Sequence, residues 1–151
     1  MLKVDVVPFT WHHVAAMDLR PDELGHFASI KDYIARSKIY TQRGPCFSAI
    51  VEGEGVAMCW GFLPYWQGVW EAWALTSYLV ERHPIATIRR AQSVFNQIES
   101  DLQAHRLQIT VKASNQLSLR FAEALKFKRE GVLTSYGPDG SDYIMLARTR
   151  P

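Results

Sequence analysis

Residues 2–9 alternate apolar and polar side chains, the period of a half-buried strand, and Pro8 closes it. Thr10 is placed to cap a short helix over 10–16. Pro21, Asp22 and Glu23 open a second helix, with proline in the first turn and acids near the positive end. Leu24, Phe27 and Ile30 keep helical spacing, and Tyr33 and Ile34 carry it towards Lys38, although Gly25 weakens the pattern. Gly44 and Pro45 then break the chain. Residues 46–51 and 56–63 form two strands around the turn 52–55, and 69–76 form a third after the turn 64–68. On that third strand Val69, Glu71, Trp73 and Leu75 share one face.

The longest helix is expected over 84–105, where Ile85, Ile88, Ala91, Phe95, Ile98 and Leu102 make an apolar stripe. Arg89, Arg90, Gln92, Asn96, Glu99 and Gln103 fill its other faces. A strand over 107–113, a helix over 117–125 and strands over 132–136 and 143–147 complete the chain. Gly137-Pro-Asp-Gly140 is a strong turn signal between the last two. The order β-α-α-β-β-β-α-β-α-β-β implies a mixed α/β domain. Without a linker or repeat, residues 1–151 read as one domain.

Composition narrows the class without naming a function. Apolar residues make up 48% and charged residues 21%, as in ordinary soluble proteins. A net charge of +2 argues against nucleic acid as a partner, because phosphate-binding surfaces carry a clear basic excess. No apolar run reaches membrane-spanning length, and the N-terminus lacks the layout of a signal peptide. A cytoplasmic setting is expected. Cys46 and Cys59 have no metal spacing and read as reduced, buried thiols. His12 and His13, adjacent in sequence, point apart on a helix and suit a surface or capping role better than a metal site. Four of the five tryptophans (Trp60, Trp66, Trp70, Trp73) fall in one short stretch, which suits a groove, a core patch or an interface.

The segment Val111-Lys-Ala-Ser-Asn115-Gln-Leu-Ser118 runs on to Phe127-Lys-Arg-Glu130-Gly131. It resembles the end of the GNAT acyltransferase fold, V-x-x-x-N-x-x-S-x-x-x-Y-x-x-x-G-F-x-x-E-G. The family's tyrosine, often a general acid, falls on Ala122, and its glycine falls on Lys126. The resemblance implies a GNAT-like α/β (α+β) fold, a central twisted and mostly antiparallel sheet flanked by helices. It also implies that acetyl-coenzyme A, if used, would rest its pyrophosphate on the loop between the third hairpin strand and the long helix. That loop, 77–90, has none of the family's glycines. Arg82, His83 and Arg89 are the side-chain cations available instead, and the alternative for them is a solvated basic face paired to Glu81. Asn115 is the further cofactor candidate, or simply a turn residue. Glu71 falls where the family's general base often lies; the alternative is a structural carboxylate. Tyr78, Tyr136 and Tyr143 are possible replacements for the missing acid.

A second resemblance is to the GNAT-like proteins of tailed bacteriophages and prophages. It rests on Leu19-Arg-Pro-Asp-Glu-Leu24, Gly68-Val-Trp-Glu-Ala-Trp-Ala-Leu75, Arg82-His-Pro84 and the hairpin from Glu130 to Asp142. It implies an internal virion protein: a structural or assembly component, located in the virion or host cytoplasm, without a cofactor. Other particle proteins or a second copy of the chain would be its partners. Tyr65 and Trp66, an aromatic pair in a turn, are the expected interface. The alternative is a divergent acetyl-coenzyme A-dependent N-acetyltransferase. A third possibility is a module that holds a small ligand in the cleft.

Overall fold

The computed structural model describes residues 2–24 and 30–150. Seven strands form one sheet, in the order β1-β2-β3-β4-β5-β7-β6. They are β1 Val4–Pro8, β2 Cys46–Val51, β3 Gly55–Trp66, β4 Val69–Thr76, β5 Arg106–Lys112, β6 Lys128–Leu133 and β7 Tyr143–Thr149. The helices are α1 Trp11–Ala16, α2 Pro21–Leu24, α3 Ile30–Tyr40, α4 Tyr78–Arg82, α5 Pro84–Asp101 and α6 Gln116–Ala124. Every pairing is antiparallel except β4 with β5.

Alternation along β3 sends Trp60 and Phe62 to one face, where they meet Phe95 of α5 and, farther along, Leu119 and Phe121 of α6 and Leu125 just after it. Cys59 and Leu75 face the other way, into a smaller cluster with Phe9, Val14, Met17 and Tyr33 from the α1 and α3 side. The sheet is thus covered on both faces, as burying two apolar surfaces requires.

The parallel junction positions the site. β4 and β5 pair only at Val69 with Arg106, Trp70 with Leu107 and Glu71 with Gln108. Both strands continue for several residues beyond this point, β4 paired to β3 and β5 to β7, without a ladder between them. The sheet therefore opens into a V at Glu71 and Gln108. Ser77 N–H donates to Ala57 O on β3, whereas Thr76 N–H turns away from β3. By the alternation of strand hydrogen bonding, the backbone groups of Ala72 and Ala74 also face the gap.

Several sequence expectations shift. The helix expected from Pro21 to Lys38 is α2 at its start and α3 at its end; residues 25–29, including Gly25 and Phe27, lie outside the described residues. The long helix stops at Asp101, because Gln103 takes a positive φ of 50° and ends the repeat. The strand expected at 132–136 lies earlier, at Lys128–Leu133. It is the outer edge strand with mostly exposed side chains, so its alternation is not written in hydrophobicity. α4 was not expected: Ser77 caps it by accepting from Leu79 N–H.

Cys46 and Cys59 are free. Burial pushes the Cys46 thiol up to about 11 and the Cys59 thiol up to about 12, so both stay protonated. His13 completes a capping box with Thr10 and lies 2.7 Å from Ser48 Oγ, while His12 stacks on Trp11.

Candidate functional site

The V encloses a cleft of about 360 Å³ between β4 and β5, walled by α3 and α6. Glu71 sits at its apex, on the last residue pair that the two strands share. Burial raises its carboxyl above the usual range, and a hydrogen bond from Gln108 Nε2 at 3.4 Å works against that rise. Gln108 is itself held: its Oε1 accepts from Arg106 Nε at 2.9 Å, and Arg106 grips Glu130 through both terminal nitrogens at 3.0 and 2.7 Å. This fork fixes which end of the Gln108 amide faces Glu71. Tyr40, Trp73 and Tyr136 line the same cleft, with the Tyr40 and Trp73 rings 5.2 Å apart. The Glu71 charge helps hold the hydroxyls of Tyr40 and Tyr65 above their usual range, after burial for Tyr40 and as the leading cause for Tyr65. Half-buried, beside aromatics and at a strand junction, Glu71 is a carboxylate whose burial makes it a stronger proton acceptor than an exposed one.

The outer end of the V is filled by the chain itself. Leu19 bridges Ser77, and Arg20 lies buried across the opening. Its guanidinium donates to Glu81 at 2.9 Å, Thr76 Oγ1 at 3.0 Å and Asn115 Oδ1 at 3.2 Å, with Asp22 and Ser118 at 3.5 Å. Glu23 accepts from Thr76 N–H at 3.1 Å and from the Thr76 hydroxyl. Burial raises the Glu23 carboxyl, against the pull of Thr76 and Arg20.

The candidates divide. Glu71 and Asn115 line the cleft, and Asn115 caps α6 by accepting from Ser118 N–H at 3.3 Å. Arg82 and His83 do not reach it: Glu54, in the β2–β3 turn, holds them at 2.8 and 2.6 Å. Arg89 is exposed beside a surface hollow with Lys3, Asp5 and Arg90, between α5 and β1. The pairing expected for the basic face is therefore different: Glu81 takes Arg20, and Glu54 takes Arg82. Ala122 is buried in the cleft wall, and Tyr136 and Tyr143 line the cleft while Tyr78 does not. Of the four clustered tryptophans, Trp60 is wholly buried and Trp70 and Trp73 pack against the two cores. Trp66 is 70% exposed and stacks on Tyr65. Sequence reading missed Arg20, Glu23, Gln108 and Arg106. Arg20 and Glu23 lie in the Leu19–Leu24 motif, from which no site role was read.

The turn from Thr76 to Val80 gives the diphosphate of acetyl-coenzyme A no cradle. A strand-to-helix turn binds anions through unused N–H groups. In this turn Thr76, Ser77, Tyr78, Leu79 and Val80 donate to Glu23, Ala57 O, Asp18 O, Ser77 Oγ and Ser77 O. The thioester arm is a different matter: the open edges of β4 and β5 match an extended, amide-bearing chain. Among the described residues no group of His, Cys, Asp or Glu is placed to hold a metal ion, and no helix is long and apolar enough to cross a membrane.

No protein-family model and no curated protein matches the sequence. Solved structures do match. A GNAT-family acetyltransferase from Bacillus anthracis superposes with a TM-score of 0.72 at 16% identity, over 97% of this chain and 94% of that one. Ard1 from Thermoplasma volcanium gives 0.76 at 12% identity, over 98% of both chains. The ribosomal-protein-S5-alanine acetyltransferase of Vibrio fischeri gives 0.67 at 12% identity, over 98% and 96%. The fold is that of the GNAT acetyltransferases, as the sequence resemblance implied.

Proposed function

We propose that this protein is an N-acyltransferase that moves an acyl group from a thioester to an amine, with Glu71 as general base. The observation that carries this reading is the half-buried Glu71 at the apex of the β4–β5 cleft, its carboxyl raised above the usual range by burial. The structural neighbours, acetyltransferases, support it, and the particle-component expectation has no counterpart among those described above. In the reaction Glu71 takes a proton from the amine. The amine nitrogen bonds to the thioester carbonyl carbon, the carbon–sulfur bond breaks, and the proton that the amine gave to Glu71 passes on to the departing sulfur, which leaves as a thiol. Gln108 orients the base. The aromatic wall of Tyr40 and Trp73 keeps water from competing as nucleophile.

Replacing the base tests the reading. E71Q retains the shape and should lose about 10²- to 10⁴-fold in turnover, the usual worth of a positioned base. Turnover that survives unchanged removes Glu71 from the mechanism.

A second reading, a virion component that docks on partner proteins, draws on the exposed Tyr65–Trp66 stack, since exposed aromatics are enriched at interfaces. Under it Y65S/W66S abolishes a stable oligomer or complex and leaves thioester binding untouched.

A further inference from the structure

We infer that the acyl donor is a thioester on a short amide-bearing arm of the pantetheine type, and that the nucleotide diphosphate of coenzyme A adds nothing to its binding. This rests on the acyltransferase reading. It follows from what lies at each end of the cleft.

The inner end is built for such an arm. The backbone groups of Ala72 and Ala74 face the gap, and their small side chains leave the strand edge accessible. An extended chain of amides pairs with an open edge through main-chain hydrogen bonds. The cleft of about 360 Å³ lies at the small end of the range for ligand sites, which suits an arm and its acyl group.

The outer end is built against a diphosphate. All five N–H groups from Thr76 to Val80 have acceptors within the chain. α4 is a single short helix of five residues, and α5 begins with Pro84, which has no N–H to give. The carboxylates of Asp22, Glu23 and Glu81 outnumber the one guanidinium between them. A diphosphate laid there would meet three acids and an arginine that is already spoken for. The cations of Arg82 and His83 are turned to Glu54.

The test is calorimetry on the full chain with acetyl-coenzyme A and with acetyl-pantetheine. No acceptor amine is needed. Affinities within about threefold of each other are expected. A site that grips the diphosphate through charge-assisted bonds would favour acetyl-coenzyme A by about 30-fold or more, and that result overturns the inference while leaving the acyltransferase reading intact. Binding of neither donor removes both readings. The variant D22N/E81Q supplies the control. It should shift the ratio towards acetyl-coenzyme A, and inorganic pyrophosphate should then protect the protein thermally where it does not protect the wild type. An unmoved ratio removes these carboxylates as the source of the selectivity.

Discussion

Gln108 on β5 places its amide nitrogen 3.4 Å from Glu71 Oε1 on β4, across the last residue pair before the two strands part. The contact joins Glu71 to a chain that continues through Arg106 to Glu130 on the edge strand. Burial raises the Glu71 carboxyl and the Gln108 hydrogen bond opposes the rise. Under the proposed mechanism Glu71 acts only when ionised, so kcat/KM should fall as pH drops through its raised value. Q108L removes the opposing bond and should move that acid limb to higher pH. R106M leaves the amide unheld and should move it the same way, by less. A pH–rate profile decides, and a limb that stays put in both variants removes Gln108 as a positioning residue.

The same shift has a consequence for stability. A carboxyl whose folded value lies above its unfolded value favours folding when protonated. Its penalty grows as pH rises from the unfolded value, about 4.3, through the raised one, and is complete above it. E71Q should therefore be no less stable than wild type at neutral pH, as is common where a site is tuned for chemistry rather than stability. Thermal melts at pH 4 and pH 7.5 check this: the advantage of E71Q appears at the higher pH. A loss of stability at pH 7.5 would make Glu71 a structural carboxylate.

Lys126 has φ +72°, the left-handed region. It follows α6, where Phe127 N–H bonds Ala122 O and Lys126 N–H bonds Glu123 O, the pattern of a Schellman cap. Glycine is the residue this position favours, and the GNAT resemblance has it there. K126G should stabilise the protein by about 1 kcal/mol, or about 2–4 °C in Tm. Differential scanning calorimetry reads it directly, and a Tm that falls means that the lysine side chain contributes more than its strained backbone costs.

In the turn 137–140, Asp139 accepts from the Ser141 hydroxyl and backbone N–H and pairs with Lys112 at 3.3 Å. Those bonds, the hydroxyl first, hold its carboxyl down to about 2. The turn's stabilisation is present above the ordinary carboxylate value and is lost as pH falls through about 2. NMR titration of the Asp139 carboxyl should show this midpoint, and S141A should raise it. An ordinary midpoint in the wild type would mean that the turn is open in solution.

How much of this was legible depends on distance along the chain. The β2–β3 hairpin, the start of α5 at Pro84 and α6 within a residue at either end were readable because their signals are local: turn glycines, a proline at the first helical position, an asparagine cap. Glu71 was placed on its strand face by alternation alone. Arg20 was not readable as a buried group, since Thr76, Glu81, Asn115 and Ser118 lie 56 to 98 residues away in sequence. Arg82 and Arg89 look alike in sequence beside a helix start. Only the fold shows that Glu54 captures the first and that the second faces β1.

Glu99 makes the same point and yields the last prediction. By periodicity it belongs to a polar face of α5, yet it is buried with Arg148 of β7, whose Nη2 lies 2.6 Å from Glu99 Oε2. Arg148 also donates to Leu125 O and Asn96 Oδ1, and its guanidinium lies 6.0 Å from the ring centres of Phe95 and Phe127. The pair thus ties the last strand to α5 and to the end of α6, behind the wall of the cleft. Removing one partner strands a buried charge, which costs about 3–5 kcal/mol. E99A should therefore lower stability by about that amount in urea unfolding. Replacing both charges with apolar groups removes the stranded charge as well, so E99L/R148M should recover most of the loss. If the double variant is as unstable as E99A, the hydrogen bonds of Arg148 to Leu125 and Asn96, rather than its ion pair, hold this corner of the fold together.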